Sequence, residues 1–129
     1  MKDVIISHEG IELIFCTEGD VLRLFGMYPV PLADRMKRLP RSMKTLDRAL
    51  ETDIQCTGEN HEEHHGFKLA NGNPGRRLRY TGMGEESWAG NRTVILSYID
   101  PQLHLSVRSR YELVRGVPIV RRSVEITNR

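Results

Sequence analysis

The sequence has few aromatic residues and few cysteines, no long apolar run and no excess of one charge sign. Aromatics make up only 6% of 129 residues, so a ligand face built from several stacked rings is not expected. The two cysteines, Cys16 and Cys56, cannot form a disulfide framework, and no second pair exists to complete a four-thiolate metal site. Their apolar or β-branched neighbours point to two buried thiols. No run of about 20 apolar residues is present, so no membrane-spanning helix is expected. Nineteen basic residues face 17 acidic ones, a net charge of +2, with no block of like charges. Nucleic acid is therefore a poor partner on electrostatic grounds. Met1-Lys2-Asp3-Val4 opens without a signal-peptide pattern, which makes a cytoplasmic location the expectation.

What is present is β-pattern. Val4–Ile6, Ile11–Phe15 and Val21–Phe25 read as three short strands separated by Glu9-Gly10 and Glu18-Gly19-Asp20, with Gly26 as a stop. Residues 27–41 hold Pro29, Pro31 and Pro40 and read as a surface loop. Ser42 to Leu50 predicts one or two helical turns, with Ser42 as N-cap and Met43, Leu46 and Leu50 on one face. Thr52–Thr57 and Arg77–Thr81 read as short strands, and Gly82–Gly90 as a loop.

The last forty residues carry the clearest signal. Val94, Leu96 and Tyr98 alternate along Thr93–Ile99, which Asp100-Pro101 ends. From Leu103 to Leu113 the alternation is strict, with Arg108 and Arg110 on the polar side. Across the turn at Arg115–Pro118, Val120, Val124 and Ile126 share one face, into which Arg122 intrudes. The sum is a single all-β domain over 1–129, an antiparallel β-sandwich with one short helix near 42–50.

His61-Glu62-Glu63-His64-His65 matches the H-E-x-x-H form of zinc hydrolases. That chemistry needs both histidines on one face of a sustained helix. Gly58, Gly66, Gly72, Pro74 and Gly75 surround the motif, at about 1 kcal/mol per Gly and about 3 per Pro in a helix. A solvated connection between strands is the better reading, with no metal and no cofactor.

The same residues resemble a known family. Thr57-Gly58-Glu59-Asn60-His61-Glu62-Glu63-His64-His65-Gly66 is similar to a T-G-E-D-x-D-D-H-H-G segment of bacterial α-galactosidases of glycoside hydrolase family 36. Asn73-Pro74-Gly75-Arg76-Arg77-Leu78-Arg79-Tyr80 resembles that family's N-P-G-x-R-L-x-Y, and Gly116–Arg122 through Thr127-Asn128 its G-x-x-V-V-R hairpin turn and T-N end. The likeness covers residues 50–129. Glu62 and Glu63 stand where the family has aspartates, and Phe67–Ala70 replaces a more polar stretch.

The resemblance implies the front part of a large N-terminal β-sandwich that packs beside a catalytic (β/α)8 barrel or a neighbouring subunit, in an oligomeric enzyme that cleaves α-galactosides with retention. The barrel's K-W-D-type nucleophile segment and its acid/base segment have no counterpart here, so no catalytic residue is carried over. Under this reading Glu59, His64 and His65 are polar anchors at the junction, with direct sugar contact as the lesser role. Trp88 plugs a core or interface, or else stacks on a sugar. Arg108 and Arg110 face solvent or pair with acids of the barrel. The alternative is an autonomous carbohydrate-binding β-sandwich.

Overall fold

The structure, a computed structural model, describes residues 1–54 and 76–129. Strands β1 (Lys2–His8), β2 (Ile11–Glu18) and β3 (Val21–Pro29) form a three-stranded sheet in that order. Strands β4 (Arg79–Trp88), β5 (Asn91–Asp100), β6 (Leu105–Leu113) and β7 (Val120–Asn128) form a four-stranded sheet, also in chain order. Every neighbouring pair is antiparallel. The expected all-β architecture of two stacked antiparallel sheets is what the chain adopts.

Turn chemistry sets the tight hairpins, of which Gly19-Asp20, with Gly19 at φ 61°, joins β2 to β3. Glu9 and Gly10 join β1 to β2 with φ of 44° and 81°, and Ala89 and Gly90 join β4 to β5 with 51° and 82°. Two consecutive positive φ values give the turn whose twist matches right-handed strands.

The core lies between the sheets. Leu13, Phe15 and Leu22 come from one side, and Val94, Leu96, Tyr98, Val107, Tyr111 and Leu113 from the other. Phe15 meets Tyr111 edge-on, with ring centroids 5.7 Å apart. The alternation along β5 and β6 therefore marked the buried face correctly. Cys16 is a buried free thiol, as expected, hydrogen-bonded by Arg41 Nε at 3.2 Å; Cys56 lies outside the described residues.

Five local expectations are corrected. Residues 27–41 are not a loop: β3 runs to Pro29, and helix α1 (Val30–Met36) follows. Pro29 is its N-cap and Pro31 sits in its first turn, where a missing N–H costs no intrahelical bond. Residues 43–48 form turns rather than a helix. Ser42 does receive the Thr45 N–H at 3.3 Å and the Leu46 N–H on its carbonyl at 3.1 Å, but Ala49 then bonds back to Leu46, and the chain runs along β3, where Leu24 N–H meets the Ala49 carbonyl at 3.0 Å. Gly82–Gly90 is not a loop either, because β4 continues to Trp88 past a bulge between Tyr80 and Gly82, which Gly82 accommodates at φ 156°. The described part of Thr52–Thr57 is not a strand.

Gly26 does not end β3. A bulge shifts the register from Ile14↔Gly26 to Phe15↔Leu24, and the Tyr28 ring lies over the glycine. A Cβ there would come within 2.5 Å of that ring. Gly26→Ala is expected to displace Tyr28 from its contact with Phe25 and to cost about 1–2 kcal/mol in urea unfolding.

Candidate functional site

The most elaborate polar cluster is inside the sandwich. After Leu50 bridges to Arg23 on β3, the chain turns inward and places Glu51 against the four-stranded sheet, its side chain 0% exposed. Its Oε1 accepts hydrogen bonds from Tyr98 of β5 at 2.7 Å and from Thr52 at 2.8 Å. Its Oε2 accepts from Ser109 at 2.8 Å and Tyr111 at 2.7 Å, both on β6, and from Arg122 Nη2 on β7 at 2.7 Å. Arg122 Nη2 also reaches the Glu51 carbonyl at 2.6 Å, and its Nε meets the Tyr111 hydroxyl at 3.2 Å.

Burial by itself pushes the Glu51 carboxyl pKa up. The hydrogen bonds from Tyr98, Tyr111, Ser109 and Arg122 outweigh it and hold the group below the ordinary glutamate value. Burial, and then the Glu51 charge, push both phenols above the usual tyrosine range. For Arg122, burial works against the charge, but Glu51 more than compensates and raises its pKa. The result is an ionised carboxylate held by five side chains, all of which keep their protons. Both oxygens are committed and no solvent reaches them. Such a group neither gives nor takes a proton readily, so it binds the sheet together rather than acting as an acid or base.

A second buried acid behaves likewise. Asp100 ends β5 with its side chain 0% exposed. Arg77 grips it through Nε at 3.1 Å and Nη2 at 2.9 Å, and the N–H groups of Gln102 and Leu103 close on Oδ1 at 2.9 and 3.1 Å. Burial raises its pKa, but these donors reverse the effect and leave it lowered. Asp100 thus fixes the turn into β6 and the point where β4 begins.

Of the residues singled out from the sequence, Glu59, His64 and His65 lie outside the described residues, as does the rest of the H-E-x-x-H stretch. Trp88 ends β4 and is 81% exposed, opposite Asn91. It does not plug the core. Arg110 pairs with Glu86 of β4 at 3.1 Å, so its acid partner belongs to this sheet. Arg108 stands opposite Glu125 on the same face. The cluster around Glu51 does not include any of these residues.

Sequence reading missed Glu51, Tyr98, Ser109, Tyr111 and Arg122 as a unit. One signal was available: an arginine on the apolar face of a strand needs a buried acid. The acid lies 71 residues away, in a segment of no regular structure, where periodicity carries no information.

Among the described residues, no three His, Cys, Asp or Glu side chains group closely enough to hold a metal ion, and no helix is long and apolar enough to cross a membrane. A shallow hollow of about 310 Å³ on the outer face of the four-stranded sheet is lined by Thr93, Arg110, Glu112, Arg121 and Ser123. Its charges already meet acids or bases of the same sheet, Arg121 and Glu112 at 3.4 Å among them. No family model, no curated protein and no solved structure matches the chain.

Proposed function

We propose that the chain serves as a non-catalytic N-terminal β-sandwich domain of a family 36 α-galactosidase-like glycosidase, packing on the (β/α)8 barrel that performs hydrolysis. The observation that carries this reading is the succession of sequence motifs from Thr57 to Tyr80, followed by those from Leu103 to Asn128. The geometry is compatible with it. The two sheets form a scaffold, and the long β6–β7 hairpin occupies the positions where the resemblance puts one. Retaining glycosidases need two carboxyls about 5–5.5 Å apart and open to the glycosidic bond. The buried acids Glu51 and Asp100 are instead consumed by protein donors. The purified chain should release no p-nitrophenol from p-nitrophenyl α-galactoside at any pH between acid and neutral. Turnover by the isolated chain would refute the reading.

One observation favours a second reading, an autonomous carbohydrate-binding module: the bare indole of Trp88 at a hairpin corner. It is the only tryptophan, so its emission reports on that corner alone. Titration with galactose or α-galactosides is expected to leave the emission unchanged. A saturable quench or blue shift with galactosides, absent with a non-sugar polyol, would favour the module instead.

A further inference from the structure

Three hairpin turns meet at one end of the sandwich. Gly10, in the β1–β2 turn, accepts the Val30 N–H on its carbonyl at 2.9 Å. His8, beside that turn, donates from Nε2 to the Val117 carbonyl of the β6–β7 turn at 2.8 Å. Asn91, beside the β4–β5 turn, accepts the Arg115 N–H at 2.9 Å. Lys2, Arg79 and Asn128 lie at the opposite end, paired with Thr17, Ile99 and Leu105. Between the three turns is a hollow of about 300 Å³, lined by Ser7, His8, Glu9, Gly90, Arg92 and Arg115. Loops held at the end of a rigid scaffold are where binding residues concentrate.

Both arginines are held in place. Arg115 lies across the β4–β5 turn, and a Cβ on Gly90 would come within 2.9 Å of its Cδ and 3.0 Å of its Nη1. The glycine is what lets the side chain lie so close. Among the described residues, the Arg115 guanidinium has no acid partner. Arg92 is oriented from two sides, by Glu85 at 2.7 Å and by the Ser7 carbonyl at 3.4 Å. Glu85 matches the charge of Arg92, so Arg115 supplies the unmatched positive charge. Glu9 lines the same hollow and has no basic partner among the described residues. It repels a bare anion but accepts a hydrogen bond from a hydroxyl. The volume holds about ten waters at about 30 Å³ each, more than a bare inorganic anion fills and at the lower end of small-molecule sites.

We infer that this hollow binds a small hydroxylated anion, with a phosphate or carboxylate on the guanidinium groups of Arg115 and Arg92 and a hydroxyl on Glu9. Planar guanidinium forks hold such oxyanions through paired, charge-assisted hydrogen bonds. The acid in the lining selects for hydroxyls beside the charge. The inference is independent of the glycosidase reading, because its ligand is charged and neutral galactosides are not expected to occupy the hollow.

Isothermal titration calorimetry of the full chain with glycerol 3-phosphate and with glycerate should show saturable binding for at least one of them, with a Kd of about 1 mM or tighter. The tighter of the two identifies the anionic group. Glycerol, with hydroxyls and no charge, should not bind. Inorganic phosphate, with charge and no carbon-borne hydroxyls, should bind about tenfold more weakly than the preferred ligand. Arg115→Ala should weaken binding about tenfold, and Glu9→Ala should narrow the gap between glycerol 3-phosphate and inorganic phosphate. Arg121→Ala, on the outer sheet face, should leave binding unchanged. Far-UV circular dichroism checks that each variant is folded. In proton–nitrogen correlation spectra, the shifts on titration should gather at residues 7–10, 89–92 and 113–117. No saturable heat with either ligand up to about 10 mM overturns the inference. So does binding that Arg115→Ala leaves unchanged, glycerol binding as tightly as the anions, or shifts that avoid the three turns.

Discussion

Glu51→Ala is expected to destabilise the fold by about 3–5 kcal/mol, the range found when one partner of a buried charge pair is removed. The substitution strands five groups at once, the Thr52 hydroxyl among them. The hydroxyls of Tyr98, Ser109 and Tyr111 lose their acceptor inside the sandwich, and Arg122 loses its counter-ion. A void replaces the carboxylate. Small domains are stable by only about 5–15 kcal/mol, so much of the total is at stake. Glu51→Gln keeps the volume but turns an NH2 group toward donors, and it should recover little of the loss. The urea midpoint measures both. As a control, Glu18→Ala at the exposed end of β2 should shift the midpoint by less than about 0.5 kcal/mol. A Glu51→Ala protein as stable as the parent would show that the cluster does not hold the sheet to the chain preceding it.

Acid should unfold the protein steeply, through the same groups. The folded-state pKa of Glu51 lies below its unfolded value, and so does that of Asp100. A carboxyl lowered in this way contributes its full stabilisation above the unfolded pKa and loses it as pH falls through the folded one. Stability should therefore be level from neutral down to about pH 5 and collapse below about pH 4, where ordinary carboxyls begin to protonate. Unfolding free energy measured in urea across this range gives the curve. The dependence should be shallower in Glu51→Gln, because the replaced group no longer takes up a proton on unfolding. An identical slope in both proteins would place the acid sensitivity elsewhere.

The parts of the fold that were legible in the sequence are those where side chains repeat with the period of the backbone. Val94, Leu96 and Tyr98, then Val107, Tyr111 and Leu113, alternate because one face of a strand is buried, and all of them lie in the core. Glu9-Gly10 announced its hairpin through the left-handed geometry that the turn requires. Prolines misled because their meaning depends on position: Pro29 and Pro31 open a helix, although the same residues would break its interior. Glycines misled in β4 because Gly82 serves a bulge there rather than a turn. The Glu51 cluster was illegible for a different reason. It joins residues separated by up to 71 positions, and only Arg122, out of place on an apolar face, hinted that a buried acid had to exist. Trp88 was expected to plug a core or an interface; it stands outside the core, exposed at the corner of the outer sheet face opposite Asn91.

The reading of this sandwich as one part of a glycosidase is tested most directly by the coding sequence that follows codon 129 in the intact gene. The expected result is an open frame running on into a (β/α)8 barrel with a K-W-D-type segment, whose expressed product cleaves p-nitrophenyl α-galactoside. An immediate stop codon, or a continuation without that barrel and without that activity, would contradict it.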